Sequence, residues 1–427
     1  MIDIKLIREN KELVKENIRK KFQDSKLELV DKVYELDVKY REYKVKADTM
    51  RSEKNTLSAE IGKLMRDKKI EEANEIKAKI AVINEEIPKL EEEEVKLEEE
   101  IKKIMLVIPN IIDSTVPIGK DDSENVELKR FGESVIPDFE VPYHADILES
   151  INGLDKEASG RTSGNGFYYL MGDAARLSTA MINYARDYMI DKNFIYCIPP
   201  FMIHGSVVEG VMSFPEMNAM MYKIDGEDLY LIGTSEHSMI GKFKDQIVKK
   251  DELPIKMTSY SPCFRKEVGA HGIEERGIYR VHQFEKQEMI VICEPEESME
   301  WYEKMWQYTV EIFRNLNIPV RQIECCSGDL ADLKVKSCDI EAWSPRQQKY
   351  FEVGSCSTLG DAQARRLGIR IKGEKGNYYA HTLNNTVLAS TRALIAFIEN
   401  NYNEDGSINI PEALRPYMGG KEKIEKK

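Results

Sequence analysis

Phe264 to Glu288, FRKEVGAHGIEERGIYRVHQFEKQE, concentrates groups that can grip a nucleotide. It opens on Arg265, Lys266 and Glu267, passes Gly269, Gly272 and Gly277, and closes on Arg280, Phe284 and Glu288. A guanidinium can hold a phosphate through paired hydrogen bonds, an aromatic face can stack on a base, and a carboxylate can accept from an amino group. The same residues would also make an ordinary charged surface hairpin, and the stretch alone does not separate the two.

Four other stretches set polar groups among apolar ones. LYLIGTSEHSM at 229–239 ends an apolar run on Thr234, Ser235 and Glu236. A partly buried carboxylate there needs a cation such as a ligand's ammonium, although a turn or helix cap would suit the same residues. In KYFEVGSCSTLGDAQARR at 349–366, Glu352 and Ser355 stand three apart across a glycine and offer two hard oxygens to one Mg2+. HTLNNTVLASTRALIAFIEN at 381–400 leads into an apolar helix with a single Arg392 near its start. That arginine requires an anion, either a ligand's or a protein carboxylate. Ile198-Pro199-Pro200 follows a helical stretch and needs no function beyond a rigid helix-to-strand turn. Together the set would serve nucleotidyl transfer, in which a carboxylate attacks an α-phosphate and pyrophosphate leaves. Such catalysis is mainly positioning and charge neutralisation.

Those residues need a rigid frame. Alternation on both sides of the glycine-punctuated loop predicts two strands, and strand-like segments cluster between 229 and 380. From about 130 onward the pattern is that of an α+β domain with a mostly antiparallel sheet. Neither a GxGxxG between strand and helix nor a GxxxxGK[ST] occurs, so no dinucleotide fold or P-loop is indicated.

The N-terminal quarter is different. Residues 1–26 read as an amphipathic helix with Ile4, Ile7 and Val14 inward. Apolar residues then recur in steps of three and four from Val33 to Leu64, break at RDKK, and resume from Ala73 to Ile104. This heptad seam predicts one antiparallel coiled-coil hairpin over about 27–106, a rod of ~60 Å. Lys54 and Glu94 interrupt the seam without facing each other, and Pro88 should kink the second arm or remove one hydrogen bond. Lys63, Arg66, Lys68 and Lys69 lie near the tip, where they suit phosphates but would equally be plain solvated lysines. A dimerisation strut is the commoner use of such a hairpin. The predicted layout is an N-terminal domain over 1–107, a turn-rich linker over 108–130, a catalytic domain over 131–420 and a charged tail over 421–427.

Composition narrows the class. The chain has 427 residues, 42% hydrophobic and 32% charged, enough for two or three domains. No apolar run approaches a membrane span and the N-terminus has no signal core, which points to a cytoplasmic protein. Seven cysteines form no zinc-type spacing, so no structural zinc is expected and the thiols should be reduced. The net charge of −13 argues against indiscriminate nucleic-acid binding and DNA is not an expected partner, but it leaves room for a local basic face.

The order and spacing of these stretches resemble seryl-tRNA synthetases over nearly the whole chain. FRKE…RG…R-V-HQFEKQE is similar to the family's motif 2, HTLN with Arg392 and ALIAFIEN to motif 3, and the helix before IPP to motif 1. The hairpin followed by IPN and VPIGKDDSENVE, with SGDL at 327–330 and DIEAWSP at 339–345, fits the same family. The resemblance implies a class II synthetase fold: an antiparallel β-sheet flanked by helices, preceded by the coiled-coil arm. It implies activation of serine by ATP to seryl-adenylate, then transfer to tRNA(Ser), with tRNA(Sec) a further candidate acceptor. Arg265 would hold the α-phosphate, Glu267 the adenine amino group, and Phe284 would stack on the ring. Lys266, Arg280, Val353 and Gly354 would also line the ATP site, Arg392 would hold the γ-phosphate, and Glu352 and Ser355 would bind Mg2+. Thr234, Ser235, Glu236 and Glu288 would receive serine's ammonium and Thr386 would lie near its hydroxyl. Arg276 would touch the acceptor end of the tRNA. The family is dimeric, and the arm of one subunit serves tRNA on the other by reading shape, which turns the hairpin from strut to tRNA-binding arm.

Some positions depart from the family's usual residues. Gly233 stands for proline, Ser235 for alanine, Gly166 for arginine, Phe351 for arginine, Gly354 for serine, Thr358 for asparagine and Thr386 for serine. The runner-up reading is a synthetase-like paralogue handing activated serine to a non-tRNA acceptor. Truncated relatives of that kind lack the long arm, and this chain has it.

Overall fold

The computed structural model describes residues 1–267 and 277–426. Arg276, expected at the acceptor end, lies outside the described residues. Ile2–Pro109 forms one compact unit and the chain from Asn110 onward forms another.

In the first unit, α1 (Ile4–Lys20) is capped by the Asp3 side chain and buries Ile7, Val14, Asn17 and Ile18. Ile4 is only half-buried, and helical geometry breaks locally at Asn10. The hairpin is α2 (Leu27–Arg66) and α3 (Ile70–Met105). At ~1.5 Å per residue α2 is about 60 Å long. Val30, Val33 and Ala47 of α2 and Ala73, Ile76, Ile83, Ile87, Leu90 and Ile101 of α3 are buried. Lys32 pairs with Glu100 across the arms at 2.7 Å, and Arg51 reaches Glu91. Asp37 is buried and gripped by Arg8 and Arg41, so its charge is neutralised in place. Pro88 lies inside α3, which continues through it; of the two expected consequences, the lost hydrogen bond is the one that follows from chemistry.

The second unit is built on an eight-stranded sheet. Its strands are β1 (Val126–Phe131), β2 (Ile195–Cys197), β3 (Ile255–Phe264), β4 (Gln283–Cys293), β5 (Val320–Glu324), β6 (Lys336–Ser344), β7 (Lys349–Gly360) and β8 (His381–Ala389). Their order is β1-β5-β6-β7-β8-β4-β3-β2, antiparallel except for the β2–β3 pair. Helices α4 (Gly172–Asp191), α6 (Ser298–Asn315) and α7 (Ser390–Asn400) share one core with Met289, Val291, Cys293, Cys338 and Ile340. A short helix, α5 (Ser235–Gly241), starts at Thr234.

Two expectations are corrected. Residues 126–131 were expected inside an extended linker but form β1, paired with β5 at the sheet's edge. VELKRF is polar and exposed for nearly its whole length, so it shows no buried alternation to mark a strand. Ile198-Pro199-Pro200 follows strand β2 rather than the helix directly, because the chain has already entered the sheet at Ile195.

Candidate active site

Two neighbouring strands and two register shifts make the site. β3 and β4 pair antiparallel from Ile255↔Ile292 to Phe264↔Gln283, as the alternation in sequence predicted. Phe284, Lys286 and Glu288 alternate along β4, so period two gives them one common face. On β8, Thr386 pairs directly with Glu288, and the register then slips before Leu388↔Gln287. On β7, Glu352 pairs with Glu341 and Gly354 with Ile340, leaving Val353 as an extra residue. That bulge reverses the alternation, so Glu352 and Ser355, three apart, share a face.

One cavity collects Arg265, Glu267, Arg280, Phe284, Glu352, Val353, Gly354, Thr386 and Arg392. These come from the segments just after β3 and just before β4, from β4, β7 and β8, and from the first turn of α7. Tyr279, Val281, Lys286, Ala389 and Thr391 line it as well and were not singled out from sequence. For Lys286 a signal existed: it alternates with Phe284 and Glu288 on the same strand.

The charges in the cavity are organised. Arg392 Nη1 donates to Glu352 Oε2 at 2.8 Å and to the Glu352 carbonyl at 3.2 Å. Burial would push the Glu352 carboxyl up, but the Arg392 guanidinium, with Lys334 and Arg265 beyond, holds it below the usual range. The Arg392 guanidinium also sits 4.7 Å from the centroid of Tyr279, whose ring meets Phe351 edge-on at 5.8 Å. Phe351 thus supports the arginine through an aromatic relay. Arg280 Nη1 donates to Glu267 Oε2 at 2.9 Å, and Glu267 has a positive φ of 49°, a conformation costly for a non-glycine residue. The Arg265 guanidinium lies 5.3 Å from the Phe284 ring centroid, and its Nε donates to the Gly233 carbonyl at 3.2 Å.

Two glycines at departure positions stand at close approaches, Gly166 the tighter. Gly166 has φ +80°, and a Cβ there would meet His282 Cδ2 at 2.4 Å. His282 N donates to the Gly166 carbonyl, and its Nδ1 lies 3.0 Å from the Arg265 carbonyl, so this glycine backs the arginine. A Cβ at Gly354 would stand 3.3 Å from the Thr386 carbonyl oxygen, so glycine lets β7 and β8 close under the cavity.

Next to the cavity, Thr234 Oγ1 donates to Glu288 Oε2 at 2.9 Å while accepting from Glu236 N at 3.3 Å. Thr234 is therefore both the helix cap and the partner of a buried carboxylate. Lys286 also pairs with Glu288, and both side chains are buried. Glu236 is placed differently from expectation. It is not among the lining residues, and its Oε1 accepts from Gln363 Nε2 at 2.8 Å, with Gln363 fixed by Thr382 Oγ1 at 2.6 Å. One oxygen of this carboxylate thus has an internal amide partner. Burial first, then the Glu288 charge, pushes the Glu236 carboxyl up to about 7. Ser235 is fully buried in the first turn of α5 and does not line the cavity. Nor does Lys266, whose backbone N–H donates to the Met220 carbonyl at 2.9 Å.

The oxygens expected to hold Mg2+ can be tested for fit. Glu352 lines the cavity, while Ser355 shares its face without being among the lining residues, pairs across the sheet with Asp339, and has its hydroxyl 3.4 Å from that of Ser337. A carboxylate and a hydroxyl on one face offer hard oxygens, so the donor set suits Mg2+. Among the described residues, Cys325, Asp329 and Asp339 also bring ligand atoms within 4.8 Å of one another, with the Lys334 charge acting on Asp339. In the first unit, Lys63, Arg66, Lys68 and Lys69 are exposed. Lys69 pairs with Glu72 at 3.1 Å, and Arg66 Nε donates to the Gly62 carbonyl at 3.1 Å.

Comparison with known proteins bears on the whole chain. Residues 1–112 match the seryl-tRNA synthetase N-terminal domain, and residues 221–401 match the class II tRNA synthetase core domain for G, H, P, S and T. A serine–tRNA ligase of Thermococcus sibiricus is 42% identical, covering 99% of this chain and 97% of that one. The crystal structure of seryl-tRNA synthetase from Pyrococcus horikoshii complexed with ATP superposes with a TM-score of 0.95 at 39% identity, covering all of both chains. That of the cytoplasmic serine–tRNA ligase from Naegleria fowleri in complex with AMP gives 0.89 at 34% identity, covering 100% of this chain and 99% of that one. With both of its family domains in order and full-length relatives well above 30% identity, the chain belongs to the seryl-tRNA synthetase family.

Proposed function

We propose that this chain is a serine–tRNA ligase. The serine carboxylate attacks the α-phosphorus of ATP, forming seryl-adenylate as pyrophosphate leaves. A hydroxyl of the terminal ribose of tRNA(Ser) then attacks the seryl carbonyl, and AMP departs. The observation that carries the reading is the single cavity shared by Arg265, Glu267, Phe284, Glu352, Thr386 and Arg392.

Within it, Arg265 steadies the α-phosphate and its developing charge, a role that needs a preorganised cation rather than a proton donor. Phe284 presents a ring to adenine, and Glu267 accepts from the adenine amino group. Arg392 holds the γ-phosphate, while Arg280, Val353 and Gly354 shape the remaining wall and Lys266 flanks it. Glu288, supported by Thr234 with Glu236 behind them, receives the serine ammonium. Thr386, directly opposite Glu288, is suited to the serine hydroxyl. Alanine would leave that hydroxyl unpaired, which penalises it more than a pocket of matching size could. Glu352 and Ser355 would hold Mg2+, which when bound neutralises phosphate charge.

The other partners follow the same reading. The basic tip of the hairpin, Lys63, Arg66, Lys68 and Lys69, meets tRNA phosphates, and tRNA(Sec) is a second acceptor by the same shape. The active form is a homodimer, supported by an apolar groove of about 550 Å³ at the β2 edge, where Ile198 and Met202 are exposed. No described helix is long and apolar enough to cross a membrane, and the reaction is assigned to the cytoplasm. The experiment is serine-dependent exchange of pyrophosphate into ATP. Exchange with serine and not alanine supports the reading, and exchange with neither would sink it.

A further inference from the structure

Glu288 already has a cation. Lys286 stands two residues before it on the same face of β4, and its ammonium pairs with Glu288 Oε2. The same oxygen accepts from Thr234 Oγ1 at 2.9 Å. Both side chains of the ion pair are almost sealed, at 7% and 2% exposure, yet Lys286 lines the cavity beside Arg265, Glu352 and Thr386. An amino acid whose ammonium approached Glu288 would meet a like charge at that spot. Two ammoniums held against one carboxylate oxygen with little water between them repel strongly.

We propose that the Lys286 ammonium is an internal stand-in for the substrate's ammonium. It keeps Glu288 ionised and in place while the site is empty, and it yields that carboxylate when the amino acid arrives. This inference rests on the serine-activating reading of the cavity and adds an exchange of partners to it. The displaced ammonium needs a new anion, and the two carboxylates that line the cavity are engaged, Glu352 by Arg392 and Glu267 by Arg280. The incoming amino acid brings its own, the α-carboxylate. A four-carbon stem ending in a compact charge can swing between the two, which an arginine fork could not do as freely. Lys286 is thus a positioning residue that links recognition of the amino acid's two ends. A ligand with only an ammonium must displace it with nowhere for it to go.

The test compares serine with 2-aminoethanol, which keeps the ammonium and hydroxyl and lacks the carboxylate. Binding of each to the full chain is measured by calorimetry for the wild type, Lys286→Gln and Lys286→Met. Removing the internal competitor should strengthen aminoethanol binding relative to serine by roughly ten-fold or more in both variants. An unchanged ratio, or loss of both ligands together, would overturn the proposal and leave Lys286 as a fixed support of Glu288. Wild-type protein that fails to bind serine would instead count against the function itself, so the two failures can be told apart.

Discussion

Thr386 stands directly opposite Glu288 across the β8–β4 pair, placing a hydroxyl and a carboxylate on adjoining strands beside one cavity. Thr234 reaches the same carboxylate from the cap of α5. Three segments far apart in sequence therefore meet at the place proposed for the serine side chain.

Thr386→Val keeps the branched shape and removes the hydroxyl. Leaving the serine hydroxyl unpaired costs about 1–3 kcal/mol, so serine-dependent exchange should lose roughly 10- to 100-fold in kcat/KM. The discrimination against alanine should narrow with it. Unaltered discrimination would remove Thr386 from the pocket.

Arg392→Ala deletes the partner of Glu352 and the cation assigned to the γ-phosphate. Exchange should fall about 100-fold or more, and Arg392→Lys should restore little, since lysine cannot reproduce the planar fork over Tyr279. Near-normal exchange by the alanine variant would refute the phosphate role.

Glu236 gives a prediction in pH. Its folded-state carboxyl titrates at about 7, above the ordinary value for glutamate, so the native state binds its proton more tightly than the unfolded chain does. This favours folding in acid and is lost as pH rises through the folded value. Glu236→Gln keeps an oxygen for Gln363 and carries no charge. It should raise the unfolding temperature more at about pH 8 than at about pH 5. An equal shift at both would mean that Glu236 is not the strained carboxyl its surroundings make it.

Removing Val30 to Met105 takes away the hairpin and leaves the unit that holds the cavity. Exchange should stay within about two-fold, because the bonds around the site all lie beyond Asn110, while charging of tRNA should be abolished. Surviving charging would reassign the arm.

Much of this was legible because local pattern and tertiary role agree. The Phe264–Glu288 stretch shows its two strands by alternation, and the heptads of α2 and α3 announce the hairpin. What escaped depends on register. Glu352 and Ser355 share a face only because Val353 bulges, and a spacing of three on a regular strand would have opposed them. Lys286 looks like one more charge in a charged strand until Glu288 is seen beside it. The partner of Glu236 is Gln363, 127 residues away, a contact that no local pattern announces. β1 escaped because an exposed edge strand has no buried face to write a pattern.

The most direct measurement is charging of tRNA(Ser) with labelled serine by the full-length chain, followed as acid-stable aminoacyl-tRNA and AMP. The account predicts that serine is attached, that one AMP forms per seryl-tRNA, and that alanine is not carried over. AMP or pyrophosphate release without seryl-tRNA, or charging with a different amino acid, would contradict it.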